Sequence, residues 1–421
     1  MSAPSRAAPV RRRSLAGYLL VPRPKDLSKA VLLPVAFGIG SLAAADVSVR
    51  SLVRALVVLI AVELLLYAAR YQWNDVRGFV ADQRHPAEAD RGRLPGPLEQ
   101  GRRHVLISSA VAAARLVSVG LLVLALPTLH LWPLLGWAAL GVFGVAIAYE
   151  TLRSVGTGRT DRTPPPVRPL LVLIWVTIGA GYAVRGLVGV AIAVDLSERP
   201  GFALAAGLTL WCGGVVFATT RWAVEATAFG RVRNGEVQWT AKAGHAREHL
   251  LALARWLPSR VPVASTEETG ASLTAWRPLR ERTPLTAPWH VALVVGGASA
   301  GLTGALIIGR PSPAVAVGAA IAGAVAAAAV AVGAHRRFAA LLLGGVVVSC
   351  ALALVDARHA VTGALPWLLL VGAYVRFVGR ALEPADRTST LRRVAPRVLE
   401  PLGRLLLGRP TWELLSEGGR S

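Results

Sequence analysis

Acidic side chains are scarce in this chain, 24 Asp and Glu against 46 Lys and Arg. With so few carboxylates, a local grouping of them is a signal rather than decoration. Cysteine is scarcer still. Cys212 and Cys350 both fall inside long apolar stretches, so a disulfide requires those two helices to touch, and buried free thiols are the expectation. No secretory signal is evident, because the first 22 residues are basic and interrupted by proline, with too short an apolar run. No residue-level repeat emerges either. Apolar sequence, by contrast, is abundant: 54% of the 421 residues are hydrophobic. Ten runs are long enough to cross a hydrocarbon core, near 29–46, 51–70, 105–126, 130–149, 168–194, 201–220, 288–309, 312–333, 338–355 and 361–382. These runs exclude a soluble core with a single anchor. They predict an all-α polytopic bundle of about ten transmembrane helices.

The net charge of +22 raises the question of nucleic acid, and its distribution answers it. Basic residues crowd the N-terminal tail (Arg11, Arg12, Arg13, Arg23, Lys25, Lys29) and the 71–104 loop. They recur at 150–168, in 221–287, at Arg336 and Arg337, and in the C-terminal tail. The alternate connections hold few: Arg50 and Arg54, Arg199, Arg310, Arg358. This is the positive-inside pattern, which places both termini and the 71–104 loop in the cytoplasm of a multi-pass plasma-membrane protein. Topology accounts for the charge, so no nucleic-acid partner is expected; the partner is the lipid bilayer.

Three regions follow: a basic lead segment at 1–28, the membrane domain at 29–382 with its long loops 71–104 and 221–287, and a basic tail at 383–421. Within the second loop, Ala243, Ala246, Leu250, Leu253 and Leu257 form one stripe at helical spacing, predicting an interfacial helix over 240–257. The following stretch, 259–288, rich in Pro, Thr and Ser, reads as a mobile loop. The Ala, Val and Gly run at 312–333 reads as a close-packing helix. Tryptophans at segment ends, including Trp73, Trp132, Trp222, Trp289 and Trp367, suggest an interfacial belt. Arg115 and Arg185 lie well inside apolar segments and need partners there. Glu63 with Arg115 is a reasonable structural pair, leaving Arg185 to face the interior. His245-Ala246-Arg247-Glu248-His249 has the spacing of a zinc motif, but no further ligand is evident nearby, and a chance match is the better reading.

The scarce carboxylates gather where the second apolar run ends. Asn74, Asp75 and Asp82 stand there, with Asp75 and Asp82 two turns apart on one helical face. Oxygen ligands followed by arginines suit a magnesium-bound phosphate or diphosphate.

The stretch Asn74-Asp75-Val76-Arg77-Gly78-Phe79-Val80-Ala81-Asp82, then His85-Pro86 and Arg91-Gly92-Arg93-Leu94-Pro95, resembles the first aspartate-rich motif of the UbiA superfamily of intramembrane prenyltransferases. Arg23-Pro24-Lys25-Asp26-Leu27 resembles the family's approach to its first helix, and Tyr149-Glu150-Thr151-Leu152-Arg153 its exit from the fourth. The glycine-rich run around Arg185, Gly179 to Gly189, resembles a glycine-rich, arginine-containing helix found across the superfamily and is most similar to that of the phosphoribosyl-transferring subgroup. The likeness spans roughly 20–225. Two departures accompany it: Gly78 replaces the middle aspartate, and Thr219-Thr220-Arg221-Trp222-Ala223-Val224-Glu225-Ala226 replaces the second aspartate-rich motif.

The resemblance implies a Mg2+ held by Asn74, Asp75 and Asp82, with Asp75, Asp82 and Glu225 as catalytic carboxylates. Arg84, His85, Arg91, Arg93, Tyr149, Arg153, Arg185 and Arg221 would bind substrate. The implied activity is transfer of an isoprenyl group from a prenyl diphosphate to a small or lipidic acceptor. Phosphoribosyl transfer to a polyprenyl phosphate and terpene cyclisation remain open beside it. So do the non-enzyme readings, an inactive membrane protein or a transporter.

Overall fold

The computed structural model describes residues 14–44, 47–83, 93–157, 164–226, 230–233, 236–239, 248–257, 283–333 and 336–380. Local sequence sets where its helices begin. Ser14 opens α1 (Leu15–Leu20), its side chain accepting from Gly17 N at 3.1 Å; Ser48 caps α3 (Val49–Ile60) in the same way, through Ser51 N. Between them, Pro24–Val31 winds as a tight 3-10 stretch into α2 (Leu32–Ala43). The chain continues from α3 through a π-helical turn at Ala61–Leu66 into α4 (Tyr67–Gln83), without a break in the rod. Next come α5 (Gly101–Ala125), α6 (Leu131–Gly156), α7 (Pro169–Ala193) and α8 (Pro200–Ala226). The second half holds α9 (Glu248–Leu251), α10 (Pro288–Ile308), α11 (Pro313–Val332), α12 (Arg337–Ala353), α13 (Ala360–Gly363) and α14 (Leu365–Arg380). Proline stands at the first position of α7, α8, α10 and α11, where its missing N–H costs no helical hydrogen bond.

Among the described residues, seven helical stretches are long and apolar enough to cross a membrane: Val49–Val80, Leu98–Ala125, Leu131–Gly156, Pro169–Ala193, Pro200–Ala226, Pro288–Ile308 and Pro313–Val332. The protein is thus a helical membrane bundle. The other three expected spans form shorter apolar helices, Lys29–Ala43, Arg337–Ala353 and Leu365–Arg376. The last expected span is shortened because α13 and α14 divide the run from 360. The architecture is all-helical as expected, apart from a short antiparallel hairpin of Gly230–Arg233 (β1) and Glu236–Trp239 (β2) within the 221–287 loop. Of the interfacial helix expected at 240–257, residues 248–257 are described, as α9 and a following 3-10 turn. Residues 240–247, most of 259–288 and the tail 383–421 lie outside the described residues.

Small residues govern the packing. α10 lies against α8 and α11, α8 against α7, and α7 against α2 and α6. A Cβ on Gly297 would stand 2.6 Å from both Gly323 O and Ala327 Cβ, so only glycine allows α10 and α11 this close. Two of the belt tryptophans are core instead: Trp289 and Trp367 are fully buried, and Trp367 Nε1 donates to Gly323 O at 2.9 Å. Trp132 is exposed, as a belt residue should be. Both cysteines are free thiols; Cys212 is buried, but Cys350 is exposed on the outer face of α12. At the end of the bundle opposite the aspartate motif, Arg54 Nη2 donates to His130 O (3.0 Å) and Arg199 Nη1 to Ala43 O (2.6 Å), tying adjacent connections together.

Candidate functional site

Asp75 is the centre of a charged cluster and is fully buried. Two separate segments converge on it. From the lead segment, Tyr18 Oη donates to Oδ2 (3.2 Å), while Arg23 reaches Oδ2 through Nε (3.4 Å) and Oδ1 through Nη2. From the strap that precedes α5, Arg93 Nη1 donates to Oδ1 (2.8 Å). An apolar clamp holds the segments in place, with Tyr18, Phe79 and Leu94 packed together and Gln83 Nε2 donating to Leu94 O at 2.9 Å. Burial, reinforced by the negative charge of Asp75, pushes the Tyr18 phenol well above its ordinary value, so it stays a hydrogen-bond donor. For Arg23, burial opposes the charged form, but Asp75 and Asp26 outweigh it and hold the guanidinium above its usual range.

Asn74 extends the cluster to a second carboxylate. Its amide nitrogen donates to Glu150 Oε1 at 3.1 Å, and its oxygen accepts from Arg23. Glu150 on α6 is buried; Arg153, one turn on, pairs with its Oε2, and Arg77 Nη1 stands 3.9 Å from the same oxygen. Beside it rises an aromatic wall. Tyr149 stacks on Trp222 with ring centroids 6.2 Å apart, and Tyr149 Oη lies 3.4 Å from His249 Nε2. The segment carrying His249 is docked firmly: Trp175 Nε1 donates to His249 O (2.8 Å), and Arg168 pairs with the buried Glu248.

A second charged group lies beside the first. Lys29 Nζ pairs with Asp26 Oδ1 at 2.6 Å and faces the Phe217 ring. Inside the π-helical turn, Glu63 pairs with Arg185: Nε to Oε1 is 2.7 Å, and Nη2 donates to Oε2 at 3.1 Å. The Arg185 guanidinium rests 3.7 Å above the Tyr67 ring. This overturns the Glu63–Arg115 pairing expected from the sequence. Arg115 instead donates to Gln72 Oε1 and to the Leu19 and Leu20 carbonyls, so it ties α5 to the lead segment. A crevice of about 20 Å³, room for roughly one water, runs between the lead segment and the π-turn; Arg23, Asp26, Glu63 and Tyr71 line it.

The structure thus gathers Asn74, Asp75, Arg93, Tyr149 and Arg153 from the residues read in the sequence. Arg185 lies apart from them with Glu63, and Arg221 and Glu225 are exposed at the end of α8 rather than buried beside Asp75. Asp82 is buried, and a Cβ on Gly78 would stand 3.1 Å from its Oδ2, so the glycine leaves that carboxylate its space. Arg84, His85 and Arg91 lie outside the described residues. Sequence reasoning missed Tyr18, Arg23 and Glu150 as members of the cluster. Of these, Glu150 carried a usable signal, being a scarce carboxylate one turn before an arginine at a helix end.

A magnesium ion does not fit this donor set. Hard cations need carboxylate oxygens turned toward them, and both oxygens of Asp75 already accept from guanidinium or phenol groups. Among the described residues no three His, Cys, Asp or Glu side chains are grouped to hold a metal. Compared with known proteins, the chain matches no family model, no curated protein and no solved structure.

Proposed function

We propose that this protein is an intramembrane transferase that moves an isoprenyl group from a prenyl diphosphate to a small or lipidic acceptor, in the manner of the UbiA superfamily. One observation supports this reading. Arg23, Asn74 with Asp75, and Glu150 with Arg153 come from three passages far apart in sequence, each similar to a UbiA segment, and all join one hydrogen-bonded cluster. Burying charge costs several kcal/mol unless it is paired, and an intramembrane cluster of this kind is a functional-site hypothesis by default. Counting the three shorter apolar helices gives ten crossings. The arginine-rich connections then set the termini and the Asp75 cluster on the cytoplasmic side of the plasma membrane.

In the reaction, the bond between C1 of the prenyl chain and the diphosphate oxygen breaks, and its electron pair leaves with pyrophosphate. A lone pair of the acceptor closes the new bond to C1, and the acceptor's proton passes to pyrophosphate or to water. Arg23, Arg93 and Arg153 stabilise the charge growing on the leaving group, and Asp75 and Glu150 hold those arginines in place. The aromatic wall of Tyr149 and Trp222 offers π-faces to the cationic carbon.

The test incubates membranes containing the protein with labelled prenyl diphosphates or labelled phosphoribosyl pyrophosphate, and extracts the lipid products. A prenylated acceptor that forms with the wild type and falls about a hundredfold with Asp75→Asn supports the reading. A labelled phosphoribosyl lipid in its place would transfer the site to the phosphoribosyl chemistry. Absence of product from every donor sinks both.

A further inference from the structure

We infer that this site grips its phosphate or diphosphate group through guanidinium groups, without a divalent cation. The inference rests on the reading of the Asp75 cluster as the diphosphate site and deepens it by naming what holds the anion. Its ground is a layering of charge. The carboxylates lie at the bottom, the Asp75 side chain fully buried and that of Glu150 3% exposed. The arginines lie above them: side-chain exposure is 12% for Arg23, 21% for Arg93, 22% for Arg153 and 46% for Arg77. A group arriving from outside therefore meets guanidinium edges first. An anion is attracted at that layer, whereas a divalent cation must pass it to reach the oxygens of Asp75 or Glu150.

Stoichiometry points the same way. Arg23, Arg77, Arg93, Arg153 and Lys29 are grouped with Asp26, Asp75, Asp82 and Glu150, five cations against four carboxylates. Each guanidinium has five N–H donors in a rigid fork matched to phosphate oxygens. Arg93 spends one donor on Asp75, which orients its fork and leaves further donors for a ligand, while Arg23 divides its donors between Asp75 and Asn74. In this arrangement the carboxylates are positioning residues, fixing the arginines rather than touching the anion.

The experiment titrates inorganic pyrophosphate into the full chain in phosphatidylcholine nanodiscs by calorimetry, once in EDTA and once in Mg2+. Binding in EDTA at least as tight as in Mg2+ is expected. Arg23→Gln and Arg153→Gln should each weaken it about tenfold. Arg77→Gln, at a half-exposed position where folding tolerates the change, should weaken it severalfold. Repeating the titration with an anionic phospholipid in the disc separates the two sources of such a group. Weaker apparent binding there means lipid headgroups compete for the same arginines; unchanged binding means the site takes the soluble or prenyl diphosphate alone. Pyrophosphate binding that appears only with Mg2+ overturns the inference and leaves the transferase reading standing. So does EDTA-resistant binding that all three variants retain. Failure of both pyrophosphate and prenyl diphosphate to bind in either buffer removes the transferase reading as well.

Discussion

Glu63 and Arg185 show how much one pair of residues can fix inside an apolar bundle. Both are buried, and their partners are each other and the Tyr67 ring. Breaking such a pair from one side leaves an uncompensated charge and costs about 3–5 kcal/mol, whereas replacing both partners by apolar residues is close to neutral. Glu63→Gln should therefore lower the unfolding midpoint in detergent sharply, while Glu63→Leu combined with Arg185→Leu should restore most of it. Were the single variant as stable as wild type, the pair would be bystander geometry. Were the double variant stable but inactive, Arg185 would have a role in substrate handling beyond packing.

Among the elements, the lead segment behaves least like its sequence suggests. A short basic stretch ahead of the first apolar run reads as a surface strand of chain, yet Tyr18, Arg23 and Asp26 are built into the interior. Its docking is titratable. Burial works to raise the Asp26 carboxyl, but Lys29 and Arg23 overcome it and hold the group below its ordinary value. A carboxyl depressed in the folded state adds stability that is present above its unfolded pKa, near 3.9, and is lost as pH falls through the lower folded value. Acidification below about pH 4 should thus loosen residues 14–31, seen as faster proteolysis of that segment. Asp26→Asn should remove this part of the pH dependence. Identical acid profiles for the two proteins would place the titrating group elsewhere.

For the whole molecule, direction in the membrane is the property that charge sets. The connection at 195–199 and the strap at 93–100 leave opposite ends of the helices that carry them. In intact cells, and in a background lacking Cys350, Glu198→Cys should react with a membrane-impermeant maleimide. Glu99→Cys should react only after permeabilisation. Both positions are exposed, so equal labelling in intact cells would overturn the inside placement of the Asp75 cluster.

The sequence by itself determined the class of the molecule. Long apolar runs must be helices in lipid, because every backbone polar group has to be satisfied within its own segment. Spacing alone also put Asp75 and Asp82 on one face of α4. What it left open was anything that depends on which helix lies beside which. The sequence favoured Arg115 as the partner of Glu63, and the packing of α7 against α3 brought Arg185 there instead. The resemblance made Glu225 a catalytic carboxylate, yet α8 leaves it exposed, while Glu150 faces Asn74. Only the tertiary structure decided that Arg23 and Arg93 reach the oxygens of Asp75. The physical reason is that a charge in a low-dielectric interior is settled by its nearest partners, and partners 52 or 18 residues away in the chain become neighbours only when the bundle closes.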